Sequence, residues 1–289
     1  MTPVVAVIAP GMMGAAVGKR LVDNGVKVLT SLKGRSEETA MRAKAAGMAA
    51  ASDEEIAASD FILSILPPGD AVALAERFQP ALKASNAKPV YVDCNAINPV
   101  TVERVAAVIA PTDCPFVDGG IIGSPPPPAP AGEVKGSPRF YASGPAAPRF
   151  ATLRNYGLDV RLLDGALSTA SAMKMSYAGI TKGTQAIGAA MMLAATRAGT
   201  ADALFAELSS SQKEMFAWFK RGLSLMPPKA YRWIAEMHEI AGFVGEDPAA
   251  KELYEGAAHF YERIAEDFDG GKEDVNALAE FLGKSQPGN

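Results

Sequence analysis

Val4-Val5-Ala6-Val7-Ile8-Ala9-Pro10-Gly11-Met12-Met13-Gly14 is the stretch that decides the fold. Val4 to Ile8 is a short apolar run rich in β-branched residues, which suits a buried strand. The glycines follow at once, and a helical pattern continues from them to Asn24. A strand, a glycine turn and a helix, in that order, is the setting in which G-x-G-x-x-G holds a dinucleotide pyrophosphate. Gly11 lets the backbone approach the phosphates, Gly14 lets the helix pack closely on the strand, and free N–H groups at the helix start receive the charge. Ala9 stands in place of the first glycine, so the turn there must be made with a negative φ. The bland alternative is an ordinary βα turn.

The same alternation continues outward. Val26–Leu32, Phe61–Leu66, Pro89–Asp93 and Phe116–Ile122 read as further strands. Helical patterns separate them: Ser36 to Ala46, a helix after Pro67-Pro68-Gly69 through Leu82, and one opened by Pro99 to about Ala110. Such βαβ units predict a parallel sheet covered on both faces. Gly123–Gly132, with its run Pro125–Pro128, is a loop, because consecutive prolines continue neither ladder nor helix. Arg139–Ser143 and Val160–Leu163 read as closing strands, with a short helix at Ala146–Asn155 between them. From Ser168 onward the pattern is helical only: Ser168–Arg197, one long helix straight or bent at one of Gly179, Gly183 and Gly188, then Thr200–Lys220, Pro227–Gly242, Pro248–Asp269 and Asn276–Leu282. The expected architecture is an α/β Rossmann domain with a parallel sheet over residues 1–165, then an all-α domain over 166–289.

Composition narrows the function. The 289 residues are 48% hydrophobic and 21% charged, with a net charge of -4. That balance argues against disorder and against a nucleic-acid partner, which calls for a basic surplus. Two cysteines, Cys94 and Cys114, and two histidines, His238 and His259, are too few for a metal cluster, so no metal is expected. The N-terminal stretch lacks the basic start of a signal peptide. The apolar run Ala186–Ala195 is bounded by Lys182 and Arg197, too close together for a bilayer span. A cytoplasmic protein with no membrane partner is expected.

The end of the second strand bears on the cofactor. The segment is Thr30-Ser31-Leu32-Lys33-Gly34-Arg35-Ser36, with no acid before Glu37. An NAD site places a carboxylate here for the ribose hydroxyl, and a carboxylate would repel a 2′-phosphate. Lys33 and Arg35 supply cations instead, and Ser31 and Ser36 supply hydroxyls, Ser36 also being placed to cap the next helix. NADP(H) is therefore the expected cofactor. The alternative is a solvated basic turn.

Several motifs, in order, make the chain resemble the β-hydroxyacid dehydrogenase superfamily, with its 6-phosphogluconate dehydrogenase-like NAD(P)-binding domain. They are Gly11-Met12-Met13-Gly14; Ser64-Ile65-Leu66-Pro67; Asp93-Cys94-Asn95-Ala96-Ile97-Asn98-Pro99; Asp118-Gly119-Gly120-Ile121-Ile122-Gly123-Ser124; and Ala172-Met173-Lys174. Toward the C-terminus, Ala230-Tyr231-Arg232-Trp233-Ile234-Ala235-Glu236-Met237 resembles a helical domain of unknown function found on bacterial members. The resemblance implies that Ala9 to Gly14 bind the cofactor and that Leu66 and Pro67 line its nicotinamide side. It also implies that Gly123 and Ser124 meet substrate and that Lys174 is catalytic. Two positions depart from the pattern. Ala178 stands where the group often has Asn, and Ile122-Gly123-Ser124 replaces Ser-Gly-Gly.

The chemistry is consistent with that implication. Reduction of a carbonyl leaves an alkoxide that needs a positive charge and a proton, and a lysine ammonium supplies both. Lys174 lies in an apolar stretch, Ala170 to Tyr177, where burial lowers an ammonium pKa. Tyr177, one helical turn on, is a second proton donor or a core aromatic. Lys182, two turns on, either binds a substrate anion or ends a polar stripe. Asn95 and Ser124 can hydrogen-bond substrate or the nicotinamide amide, or simply satisfy loop backbone. The expected function is an NADPH-dependent oxidoreductase acting on a small β-hydroxyacid or related carbonyl compound. An imine (C=N) reductase and a non-catalytic NADPH-binding protein are the alternatives. The long apolar helix from Ser168, with few charges on it, points to a homodimer.

Overall fold

The strands of the computed structural model, which describes residues 2–127, 133 and 136–284, form one eight-stranded sheet in the order β3-β2-β1-β4-β5-β6-β7-β8. They are β1 Val4–Ile8, β2 Lys27–Thr30, β3 Ala49–Ala50, β4 Phe61–Ser64, β5 Val90–Asp93, β6 Phe116–Ile122, β7 Arg139–Ser143 and β8 Asp159–Leu162. The helices between them are α1 Met12–Asp23, α2 Glu37–Ala45, α3 Asp53–Ala57, α4 Ala71–Ala84, α5 Pro99–Ile109 and α6 Ala147–Ala151. Chain order reverses between β1 and β4, which makes a crevice at the carboxyl ends of these two strands.

Period-two side-chain alternation explains why the strands read as unbroken apolar runs. Val5 and Val7 of β1 face a core shared with Leu21 of α1, Ala43 of α2 and Phe150 of α6. Ala6 and Ile8 face the opposite core, with Ile56 of α3, Phe78 of α4 and Val105 of α5. With both faces covered, no polar position is left to mark the alternation.

The expectation of a parallel sheet needs one correction. β1 to β6 are parallel, but β7 pairs antiparallel with β6, Asp118 opposite Ser143 and Ile122 opposite Arg139. β8 then runs parallel to β7. The proline-containing segment separates β6 from β7, and the chain returns in the opposite sense. Pro128 to Gly132 of that segment lie outside the described residues. The short edge strand β3 and the helix α3 carried no periodic signal and were not expected.

The chain divides into two compact units, Met1–Met175 and Ser176–Asn289. The division falls inside α7, Thr169–Ala178, ten residues beyond the boundary expected near Gly165. The second unit is all helical: α8 Thr184–Arg197, α9 Ala201–Ser211, α10 Lys213–Leu223, α11 Ala230–Phe243, α12 Pro248–Asp269 and α13 Glu273–Gly283. The long helix expected over Ser168–Arg197 carries a wide π turn at Gly179–Gly183, at two of the glycines where a bend was open. Tyr254 lies against that turn, and a Cβ on Gly179 would come within 2.9 Å of its hydroxyl. Tyr261 donates to the Lys182 carbonyl at 2.5 Å, so the turn's altered backbone bonding is met by a side chain. The helix expected over Thr200–Lys220 breaks at Gln212. The break lets Phe205 and Phe216 meet edge to face at 5.3 Å, with Phe281 of α13 joining them. Among the described residues, no helix is long and apolar enough to cross a membrane.

Candidate functional site

The candidate site is built on the carboxyl edge of the N-terminal unit's sheet. At its centre, Gly11 is the residue before α1, and its N–H donates to Ala9 O at 2.8 Å. No side chain caps α1 and no acid occupies its first turn. The positive end of the helix is therefore not offset by a cap or an acid of its own first turn. A Cβ on Gly14 would sit 2.2 Å from Ala9 O, so only glycine allows this approach of helix to turn. A Cβ on Gly11 would meet nothing within 4 Å, which leaves the space in front of the helix open. Ala9 is absent from the residues with positive φ, as its side chain requires. Met12 is exposed, while Met13 packs on the core below. These features fit a dinucleotide pyrophosphate.

The turn after β2 closes by donation from Arg35 N to Leu32 O, with Gly34 at φ 72°. That left-handed position favours glycine. Lys33 and Arg35 are exposed on the turn, and Ser36 caps α2 by accepting from Thr39 N. Arg42 of α2 donates to Pro10 O at 3.3 Å, which adds a cation beside the glycine turn that the motif reading did not include. Ser31 corrects an expectation. It is only 3% exposed, and its hydroxyl accepts from Arg77 of α4 at 2.6 Å.

Asn95 also differs from its expected role. Its Oδ1 accepts from Leu66 N at 2.5 Å, and its Nδ2 donates to Ser64 Oγ at 2.8 Å and Asp93 Oδ2 at 2.9 Å. Both amide hydrogens are used and the residue is buried, so Asn95 ties the ends of β4 and β5 together rather than offering itself to substrate. In doing so it holds the Leu66 backbone, just ahead of Pro67 at the start of a short 3₁₀ turn.

Two buried carboxylates support this edge and were missed as functional groups, though both lie in the quoted motifs. Asp93 and Asp118 are register partners on β5 and β6. Burial raises the Asp93 pKa to about 7, with the charge of Asp118 adding to it. Burial raises Asp118 to about 6, against hydrogen bonds from Ser171 and Ser143 that lower it. Asp118 accepts from Ser171 N at 2.7 Å and Ser171 Oγ at 2.6 Å, which fastens the start of α7 to the sheet. Gly120 completes the fit, since a Cβ there would stand 3.0 Å from Ala170 O and 3.1 Å from Lys174 Cβ. Most of the segment expected as a substrate loop is thus strand, and only Gly123 (φ 127°) and exposed Ser124 lie beyond it.

α7 carries Lys174, whose Nζ donates to Ile121 O at 2.8 Å. The residue is half-buried, and burial lowers its pKa to about 8. Tyr177, on the same helix in the second unit, is 47% exposed. Lys182 is not a free cation for a substrate anion. Its ammonium pairs with Glu236 and lies 4.9 Å from the Trp233 ring centroid.

Residues 4–140 match the NAD binding domain of 6-phosphogluconate dehydrogenase, and residues 195–264 match the Domain of unknown function DUF1932. The chain carries a 6-phosphogluconate dehydrogenase-like NAD-binding domain followed by a DUF1932 domain. An uncharacterized 28.5 kDa protein of Methanothermus fervidus is 28% identical over 193 residues, 66% of this chain and 70% of its own. A solved conserved protein of unknown function, described as structurally similar to 3-hydroxyacid dehydrogenases, is 27% identical with a TM-score of 0.66, covering 92% of this chain and 97% of its own. A 3-hydroxyisobutyrate dehydrogenase of Mycobacterium tuberculosis is 20% identical with a TM-score of 0.66, covering 98% and 100%. An imine reductase of Myxococcus stipitatus in complex with NADP+ is 17% identical with a TM-score of 0.55, covering 97% and 100%. The last two share the fold. The NAD-binding assignment of the N-terminal domain coincides with the uncapped helix and open glycine turn of α1.

Proposed function

We propose that the protein is an NADP(H)-dependent oxidoreductase of the cytoplasm, acting on a small β-hydroxyacid or related carbonyl compound. The observation that carries this reading is the Lys174 ammonium, held on the Ile121 carbonyl at the sheet's carboxyl edge, half-buried and with its pKa lowered to about 8. At neutral pH it is still mostly charged, so it can meet an oxygen that becomes negative. Having given its proton to that oxygen it becomes a neutral amine, the form that burial favours. Asp118, Ser171 and Gly120 act through α7 as positioning residues that hold Lys174 at the end of β6. When bound, the reduced nicotinamide supplies the hydride. Gly123 and Ser124 remain the residues assigned to substrate, and Tyr177 the second proton donor.

Cofactor choice rests on Lys33 and Arg35. A phosphate–Arg pair corresponds to about tenfold or more in affinity, so NADPH should bind that much more tightly than NADH. Arg35→Ala should erase most of the difference. Equal affinities in the wild type would overturn the choice.

A second reading, C=N reduction, draws on Ala178 in the place of the expected Asn. An iminium ion arrives protonated and gains nothing from an ammonium beside it. One panel decides: small β-hydroxyacids with NADP+ and cyclic imines with NADPH, followed by the absorbance of the reduced nicotinamide. Turnover of hydroxyacids is expected. Turnover of imines alone would establish the second reading, and cofactor binding with no turnover would establish a non-catalytic protein. We also infer a homodimer, from an exposed apolar stripe of Tyr177, Ile180, Ile187 and Met191. A monomer by light scattering at micromolar concentration would exclude it.

A further inference from the structure

At the end of β2 the hydroxyl of Ser31 lies beneath a side chain that comes from the other side of the sheet order. Arg77 of α4 donates from Nη2 to Ser31 Oγ at 2.6 Å and to Asp53 Oδ1 at 2.6 Å, and from Nε to Asp53 Oδ2 at 3.0 Å. These three bonds use the single hydrogen on Nε and both hydrogens on Nη2, and a guanidinium carries two more on Nη1. The fork is held rigidly. Asp53 grips it with both oxygens and is itself the first residue of α3, which is set by a reciprocal capping box between Ser52 and Glu55. Ser31 keeps 3% of its surface, whereas the Arg77 side chain keeps 28%. The group that this end of β2 presents outward is therefore the guanidinium and not the hydroxyl.

We propose that Arg77 is a specificity-determining residue for the 2′-phosphate of the cofactor's adenosine end, a role that rests on the NADP(H) reading above. Its planar, permanently charged fork suits a phosphate better than a point charge does. It also cancels the carboxylate of Asp53, which would otherwise face the same anion. Lys33 and Arg35 stand on an exposed turn, where ions screen them, whereas Arg77 is fixed in place before any ligand arrives. That preorganisation is what makes a cation selective rather than merely attractive.

The test is calorimetric titration of the full-length protein with 2′,5′-ADP and with 5′-AMP, for wild type, Arg77→Gln and Asp53→Asn. The wild type should bind 2′,5′-ADP at least about tenfold more tightly than 5′-AMP. Arg77→Gln should lose most of that preference while 5′-AMP affinity stays within about twofold. Asp53→Asn breaks the same ion pair but leaves the cation, so it should keep the preference. Loss of preference in both variants alike, or an equal loss of affinity for both ligands, would show that the pair only ties α3 to α4 and would overturn the proposal. Full preference in Arg77→Gln would overturn it too. If Arg77→Gln does not fold, Arg77→Lys takes its place: the fork is gone and partial loss of preference is expected, with an unchanged preference counting against Arg77. A wild type that does not discriminate would overturn the NADP(H) reading and this proposal together. A wild type that discriminates through Arg35 but not Arg77 would overturn this proposal alone.

Discussion

Lys174 and Lys182 stand eight positions apart, one in each compact unit, and are held in opposite ways. The Lys174 ammonium rests on a neutral acceptor, the Ile121 carbonyl, and burial lowers its pKa to about 8. The Lys182 ammonium meets the full charge of Glu236 and the face of Trp233. A cation paired with a carboxylate is held in place by its counter-charge. A cation set against a carbonyl keeps its charge less firmly and can exchange a proton with a third party. Two lysines in one helical stretch thus divide into a working group and a structural one.

The largest expected effect breaks the first half of this comparison. Lys174→Met roughly preserves length and apolar fit, so NADPH affinity should change little. The turnover rate should fall by about 10²–10⁴-fold, the usual contribution of a general acid–base group. Near-normal turnover in that variant would transfer the proton-donor role to Tyr177, or point to an imine substrate.

The second half is tested in the helical unit. Lys182→Met leaves Glu236, 8% exposed, beside an indole with its counter-ion gone. Breaking a buried pair from one side costs about 3–5 kcal/mol, and the slight exposure of both side chains places this pair at the lower end. Urea denaturation should show that loss, while turnover per folded molecule is kept. Lys182→Met with Glu236→Met should recover most of the stability, since a buried pair replaced by apolar groups is close to neutral. Intact stability with lost turnover would make Lys182 the working group and reverse the comparison.

What could be read from the sequence, and what could not, divides along the same physical line. The glycine turn was legible because strand, turn and helix start lie within eleven consecutive residues, and the close approach of Gly14 to Ala9 is local. The Ser36 cap was legible for the same reason. Partnerships across long separations were not. Arg77 reaches Ser31 across 46 positions, and nothing periodic links them. Asn95 looked like a ligand-binding amide because its bonds to Ser64 and Leu66 are made only when β4 and β5 pair. Lys182 looked like a free cation because Glu236 arrives on another helix. The reversal of β7 depends on a loop whose composition says that it turns but not which way it returns.

The smallest expected effect is on stability against pH, and it sharpens the reading of Lys174. The folded-state pKa of Lys174 lies near 8, below its ordinary value of 10.5. Between those two values the unfolded chain binds more protons than the folded one, so stability rises with pH across that window, and below it the cost of burying the charge is present in full. Asp93 and Asp118 act in the opposite sense. Their folded pKa values are raised to about 7 and about 6 from 3.8, so the stability they contribute is present below the ordinary value and is lost as pH climbs through the raised ones. These three groups together should contribute least to stability between about pH 7 and 8, where the carboxylates are already charged and the ammonium not yet neutral. Chemical denaturation of wild type and Lys174→Met across neutral and alkaline pH separates these contributions. The variant should be the more stable protein at neutral pH, and the difference should shrink as pH rises above about 8. The carboxylate contribution is common to both proteins and cancels in the difference. A difference that does not change with pH would mean that the Lys174 ammonium is as well solvated as any surface lysine, and its distinction from Lys182 would then rest on the carbonyl alone.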